Sequence, residues 1–422
     1  MRLLVFLVGA LAALTLAAPG QAASGALYGV QDDAWLAHGP GKLESRLDEL
    51  DRLGVDVVRY AVRWDVVAGE RPTAPRDHLD TAYDWRSTDA ILRGLRRHGI
   101  EPLVTLYGTP GWANGGFAPN RAPTSDRAFG DFARAAATRY SWVRRWAIWN
   151  EPNRAQWLQP VSAATYVRKL LNPAYAGIHA VIPSARVGGG MTAPRAGSGG
   201  ISPVTWIKSM GSLGARLDAY AHHPYPGQPQ VETPWGPKCS CTSIAMADLE
   251  RLVNLVHKNI GRKRIWLTEF GYQTNPPDIF LGVSPTKQAE YVASAARRVQ
   301  AAPFVDLLIY FLVRDDAADE GWQSGLTTVS GVKKPAYTAF RFPLVKTSRS
   351  GSVVRLWGQI RPGSGAQAYR LRIYRGDAWS WLGGTRVTDA RGVLSVQVRA
   401  PAGSLVQLYS LRDRAPSLAV RV

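Results

Sequence analysis

Between residue 26 and about residue 342 the sequence repeats one cadence: a short β-branched or aromatic run, a loop rich in Gly, Pro and Asn, then an amphipathic helix pattern. Parallel strands can be joined only through a crossover long enough to hold a helix, so this alternation is what consecutive βαβ units produce. The runs that predict strands are 26–31, 55–62, 102–107, 143–149, 186–190, 217–222, 264–268 and 305–311. Apolar residues at three- and four-residue spacing predict helices over 43–53, 88–98, 129–140, 164–181, 249–260 and 286–300. Eight such units fit a closed (β/α)8 barrel, a TIM-barrel α/β fold, better than an open sheet.

A barrel of this kind gathers its working residues on the loops after the strands. Trp112, Asn150, Glu151, His223, Tyr225, Glu269 and Trp322 all fall just after a predicted strand. Beyond Pro343 the pattern becomes strand-like alternation with short turns, over 353–360, 369–374, 379–382, 393–398, 405–409 and 418–422. That predicts a small C-terminal β-sandwich. The expected organisation is a signal peptide over 1–22, the barrel over 23–345 and the sandwich over 346–422.

The leader is expected because Met1-Arg2 precedes an apolar run over 3–18, then Pro19-Gly20 and small residues. Such a run is too short to span a bilayer, so cleavage and secretion are expected, with no stable membrane insertion. The net charge of +19 is uneven: from Lys346 onward there are 13 basic residues against three acidic ones. A basic exported chain without a recognisable reading motif is not expected to bind nucleic acid; an anionic cell-surface polysaccharide is the better partner, and plain solubility is the bland alternative. The two cysteines, Cys239 and Cys241, are too few to build a disulfide framework. A local loop staple is expected of them, ahead of metal binding.

The chemistry is concentrated in two segments. Trp146-Ala147-Ile148-Trp149-Asn150-Glu151-Pro152-Asn153 ends a predicted strand on a carboxylate, with an amide before it and a proline after it. Ile265-Trp266-Leu267-Thr268-Glu269 does the same on another strand. The fourth and seventh strands of an eight-stranded barrel lie on opposite sides, so Glu151 and Glu269 are expected to face each other across its mouth. Cleaving a glycosidic bond needs such a pair, one acid to protonate the leaving oxygen and one carboxylate across the anomeric carbon. A separation of about 5 to 5.5 Å predicts retention of configuration, and about 6.5 Å or more predicts inversion.

Trp149-Asn150-Glu151-Pro152-Asn153 and Thr268-Glu269-Phe270-Gly271 resemble the signatures of the clan A glycoside hydrolases, nearest to family 39 or the cellulase-like family 5. The likeness runs over roughly residues 26–342. It includes Val57-Val58-Arg59-Tyr60, Tyr107-Gly108-Thr109-Pro110-Gly111-Trp112, His222-His223-Pro224-Tyr225 and Lys334-Pro335-Ala336-Tyr337. The resemblance implies a retaining O-glycosyl hydrolase acting on a β-linked polysaccharide or oligosaccharide, a monomer with neither cofactor nor metal. It implies Glu151 as acid/base and Glu269 as nucleophile, Asn150 on the sugar's 2-hydroxyl, Arg59 beneath Glu269, Tyr225 orienting Glu269, and His223 lining the same subsite. The chain departs from the pattern at Tyr107-Gly108, where some members carry a histidine, and at Tyr310-Phe311-Leu312, where a tryptophan is common.

Each assignment has a plainer rival. The two glutamates could be salt-bridged surface groups, and Arg59 could pair with another acid. His222 and His223 point to opposite sides of a strand, so one is expected to be a packed histidine, and His223 is assigned to the site. Of the 15 tryptophans most are expected in the core. Trp112, Trp157, Trp235 and Trp322 are the candidates for the cleft wall. Trp379 and Trp381 share one face of a strand, and the sandwich core is preferred for them over a carbohydrate-binding strip. The alternative function is a catalytically silent barrel that binds extracellular polysaccharide.

Overall fold

The computed structural model describes residues 25–317 and 321–422; the expected leader lies outside them. Among the described residues, eight parallel strands close a barrel: β1 (Leu27–Gln31), β2 (Val57–Arg63), β3 (Glu101–Tyr107), β4 (Arg145–Ile148), β5 (Arg186–Thr192), β6 (Ala219–His222), β7 (Arg264–Leu267) and β8 (Val305–Phe311). β8 pairs with β1 in parallel register, Leu27 opposite Leu307 and Gln31 opposite Phe311. Helices Leu43–Leu53, Arg86–Arg97, Ala128–Arg139, Leu249–Asn259 and Pro285–Gln300 stand close to where the apolar spacing places them.

The strand period of two sets what reaches the mouth. Along β2, Val57 fills the barrel interior while Arg59 and Ala61 rise to line a cavity above it. Val58, Tyr60 and Val62 face the helix layer. The interior plug also holds Leu103, Ala147, Met191, Trp266 and Leu307. Trp266 fits because β5 offers Gly188 opposite it; a Cβ there would come within 2.6 Å of the indole.

The predicted helix over 164–181 is one continuous element with a widened turn, Ala163–Thr165, then a π-helical Tyr166–Leu171, then Asn172–His179. Pro173 has no N–H for the carbonyl four residues back, and the ladder loosens beside it. Within this turn the Tyr166 hydroxyl donates to the Ile148 carbonyl at 2.9 Å and accepts from Gly190 N–H at 3.0 Å, tying the ends of β4 and β5.

Two antiparallel sheets follow the barrel. One has the order β14 (Val393–Arg399), β10 (Val353–Gln359), β9 (Leu344–Ser350). The other has β12 (Ala378–Trp381), β11 (Ala368–Arg375), β15 (Leu405–Ser410), β16 (Ala415–Pro416), with β13 (Arg386–Val387) on β11 and β17 (Val420–Arg421) on β15. Val354, Leu356, Leu371, Ile373, Val406 and Leu408 meet between them. The core assignment of Trp379 and Trp381 is corrected: they are 36% and 46% exposed. β11 turns Tyr369, Leu371 and Ile373 inward, so Tyr374 and Arg372, which pair with Trp379 and Trp381 on the edge strand β12, face out and carry the indoles with them. Arg370 lies 4.1 Å over Trp381, and Arg372 4.7 Å over Trp379.

The sandwich docks at the end of the barrel away from the mouth. Arg361 is buried, its guanidinium 3.8 Å from the ring of Tyr28 at the start of β1 and donating to the Phe340 carbonyl at 2.7 Å. Gly54, just before β2, has φ +71° and lies so close to this segment that a Cβ would meet the Pro362 nitrogen at 2.4 Å. Cys239 and Cys241 are joined as a disulfide in the long loop after β6. Among the described residues no helix is long and apolar enough to cross a membrane.

Candidate active site

Glu151 and Glu269 come from the ends of β4 and β7 into one cavity at the barrel mouth. One carboxylate oxygen of each, together with a ring nitrogen of His223, all lie within 4.8 Å of one another. The chain takes a sharp path to put Glu151 there: Trp149 has φ +71° and Glu151 φ +36°. Side chains other than glycine hold such angles only where the surroundings enforce them. Here the enforcement is visible, because the Trp149 ring is fully buried and its N–H donates to the Trp157 carbonyl at 2.8 Å.

Arg59 organises the floor. From a side chain 2% exposed, Nη1 donates to Glu269 Oε1 at 2.5 Å and to Gln31 Oε1 at 2.6 Å. Nη2 donates to Asn150 Oδ1 at 2.7 Å and Nε to Thr105 Oγ1 at 3.0 Å. With its oxygen held by Arg59, Asn150 turns its NH2 group to the cavity that it lines. The Tyr225 hydroxyl donates to the other oxygen of Glu269 at 3.1 Å. Burial alone would raise the Glu269 carboxyl; the His223 ring, the Arg59 guanidinium and the Tyr225 hydroxyl together outweigh it and hold the group below its usual value.

Glu151 has a different setting. Its Oε1 contacts His223 Nδ1 at 3.0 Å, and the same nitrogen is 3.5 Å from Glu269 Oε2. His223 thus sits between the two carboxylates, fully buried, with its Nε2 unpartnered among the described residues. His222 points the other way. It meets Thr192 Oγ1 at 2.8 Å and the Ile244 carbonyl at 3.0 Å, and burial pushes its pKa down to about 3, which leaves it a neutral packing residue.

Of the residues the sequence singles out, Glu151, Glu269, Asn150, Arg59, Tyr225, Trp157 and Trp322 line the cavity, and His223 lies against both acids. Trp322 stacks on Tyr225 with ring centroids 5.4 Å apart and stands edge-on to Phe311, which occupies the end of β8 where a tryptophan is common. Trp112 does not line the cavity. Its N–H donates to the Ala68 carbonyl at 2.8 Å and its ring packs edge-on against buried Trp64, so it belongs to the barrel's outer layer. Trp235 is also elsewhere, beneath the Arg298 guanidinium. Sequence reasoning missed Gln31 at the end of β1, Asp33 just after it, and Arg154 and Arg195 after β4 and β5, all of which line the cavity. The pair Asp32-Asp33 following an apolar strand repeats the signal that exposed Glu151 and Glu269. Asp33 accepts from the Ala61 N–H at 2.7 Å and the Gln31 amide at 2.8 Å; burial nevertheless raises its carboxyl.

The family model described as glycosyl hydrolase catalytic core matches residues 121–339, which contain both carboxylates. No curated protein matches the chain by sequence. Solved structures with the same fold include the GH39 enzyme from Xanthomonas axonopodis pv. citri, at 17% identity and TM-score 0.58, over 93% of this chain and 94% of that one. A monomeric beta-xylosidase from Caulobacter crescentus CB15 aligns at 16% identity and TM-score 0.60, over 93% and 97%. A family 39 glycoside hydrolase from Bacteroides cellulosilyticus WH2 aligns at 17% identity and TM-score 0.59, over 88% and 80%.

Proposed function

The chain belongs to the glycosyl hydrolase catalytic core family, and we propose that it is a secreted, monomeric, retaining glycosidase that cleaves a β-linked polysaccharide or oligosaccharide, with an anionic cell-surface polysaccharide as the natural target. Residues 346–422 act as an accessory module. The observation that carries this reading is the approach of the Glu151 and Glu269 oxygens to within 4.8 Å. Double displacement uses carboxyls about 5 to 5.5 Å apart, and the inverting arrangement needs room for a water between them.

The unequal surroundings support this division of roles. Glu269, gripped by Arg59 and Tyr225 and held ionised, attacks the anomeric carbon while Glu151 gives its proton to the departing glycosidic oxygen. The glycosyl–Glu269 ester that forms no longer carries a negative charge. Glu151, now ionised, takes a proton from a water that attacks the same carbon and releases Glu269. Asn150, its amide fixed by Arg59, donates to the sugar's 2-hydroxyl. Trp157, Trp322 and Tyr225 offer aromatic faces to the sugar rings.

The experiment is rescue of a truncated nucleophile. Glu269→Ala is expected to lose nearly all turnover on aryl β-glycosides and to regain it with azide, giving the α-glycosyl azide. Undiminished turnover in this variant would refute the assignment.

A further inference from the structure

Beside Glu151 the cleft wall carries two positive charges with few protein partners. Arg154 follows Glu151 in a turn closed by its own N–H on the Glu151 carbonyl at 2.9 Å, and Arg195 follows β5, the neighbouring strand. Both are half-buried and both line the cavity. Among the described residues the Arg195 guanidinium makes one hydrogen bond, Nη2 to the Tyr225 carbonyl at 3.3 Å. Among the described residues the Arg154 guanidinium has no hydrogen bond or ion pair. The nearby Glu232 accepts the Gly227 and Gln228 N–H groups at 2.7 and 3.1 Å and acts on Arg195 through its charge, without an ion-pair contact among the described residues.

Both guanidiniums lie against loop glycines. A Cβ at Gly197 would come within 3.0 Å of Arg154 Nη2, and one at Gly227 within 2.9 Å of Arg195 Nη2. Burial holds the Arg195 guanidinium below its usual pKa; Glu232 and Glu151 oppose that shift and Arg154 reinforces it. Two guanidiniums sharing a partly dry wall repel each other unless an anion lies between them, and their N–H forks suit an oxyanion. The side matters as well. Glu151 protonates the departing oxygen, so the sugar attached to that oxygen lies along this wall.

We infer that Arg154 and Arg195 form a subsite for an oxyanion, a uronate carboxylate or a sulfate ester, on the leaving-group sugar, which makes the substrate an acidic glycan cut beside an acidic residue. This rests on the proposed glycosidase activity and specifies its substrate class. The test uses matched β-linked oligosaccharides: uronate-containing fragments of β-1,4-polymannuronate and glucuronoxylan with their carboxyl-reduced forms, and sulfated galactan fragments with their desulfated forms. Hydrogen bonds to charged groups correspond to about a ten- to hundredfold preference for the acidic member of at least one pair, read as KM or as the calorimetric Kd of the Glu269→Gln protein. The pair that shows the preference identifies the oxyanion. In Arg154→Gln/Arg195→Gln the preference is expected to vanish, and the single Arg→Lys proteins are expected to retain part of it. Equal KM and Kd within every pair for the otherwise unaltered protein, or full preference in the double variant, would overturn the inference. If nothing is turned over, the glycosidase reading fails, while the calorimetric comparison still decides this one.

Discussion

Arg59 has an acceptor for each of its guanidinium nitrogens, and two of those acceptors, Glu269 and Asn150, are the residues that the proposed mechanism needs fixed. Tyr225 completes the grip on Glu269 from the other side. Removing that hydroxyl with Tyr225→Phe lets the Glu269 carboxyl rise toward its ordinary value. Glu269 must be ionised to attack, so activity falls as pH drops through its pKa, and the acid limb of kcat/KM is expected to move to higher pH. The plateau should fall about tenfold, from the loss of about 1.5 kcal/mol for one hydrogen bond to a charged group. A pH–rate profile with an unmoved acid limb would show that the hydroxyl does not tune the nucleophile. At this scale the sequence is readable where a polar residue interrupts an apolar strand at its end, as at Asn150, Glu151 and Glu269. It is less readable for aromatics: Trp112 and Trp322 both follow strands, but Trp112 finds a backbone carbonyl and a buried ring while Trp322 is left over the cavity. Arg154 and Arg195 sit on loops whose path no periodicity sets.

The strands and most helices were open to reading because one face of each is buried and periodic. The helix Pro203–Ser212 was not, since its apolar residues Trp206, Ile207 and Met210 are few and Gly211 falls within its last turn. The strand β9 is mainly exposed and polar, and so lacks alternation. Trp379 and Trp381 misled because alternation identifies a shared face without saying whether that face is in or out. Inside the barrel the fit between β5 and β7 is specific. Gly188→Ala would press a Cβ into the Trp266 indole, three residues before Glu269. Overpacking of this kind costs about 1 to 3 kcal/mol. A lower thermal midpoint together with a reduced kcat is expected, measurable by calorimetry and initial rates. A variant with both unchanged would mean that β7 is not held by this contact.

In the whole molecule the catalytic mouth and the sandwich lie at opposite ends of the barrel, joined around Arg361. Its guanidinium over Tyr28, its hydrogen bond to Phe340 and the Arg341–Asp413 ion pair at 2.5 Å tie the two parts. A desolvated cation–π contact contributes about 2 kcal/mol, so Arg361→Leu is expected to destabilise the protein by about that amount while leaving kcat near its original value. Calorimetry alongside aryl-glycoside kinetics checks both, and a collapse of kcat without loss of stability would show that the junction communicates with the mouth. The barrel and the two facing carboxylates were legible from the eightfold cadence and the two strand endings. The docking of the sandwich was not, because its contacts, among them Arg361 over Tyr28 and Arg341 with Asp413, come from positions that no periodicity marks.

The most direct test of two carboxylates working at bond-making distance is to trap the intermediate. A panel of 2-deoxy-2-fluoro β-glycosides with good leaving groups is incubated with the protein, and the peptides are mapped by mass spectrometry. One fluoroglycosyl adduct, on Glu269, is the expected result, with turnover stopped in step with labelling. Rapid hydrolysis of the parent glycosides to the inverted anomer, or an adduct on Glu151 in place of Glu269, would contradict it.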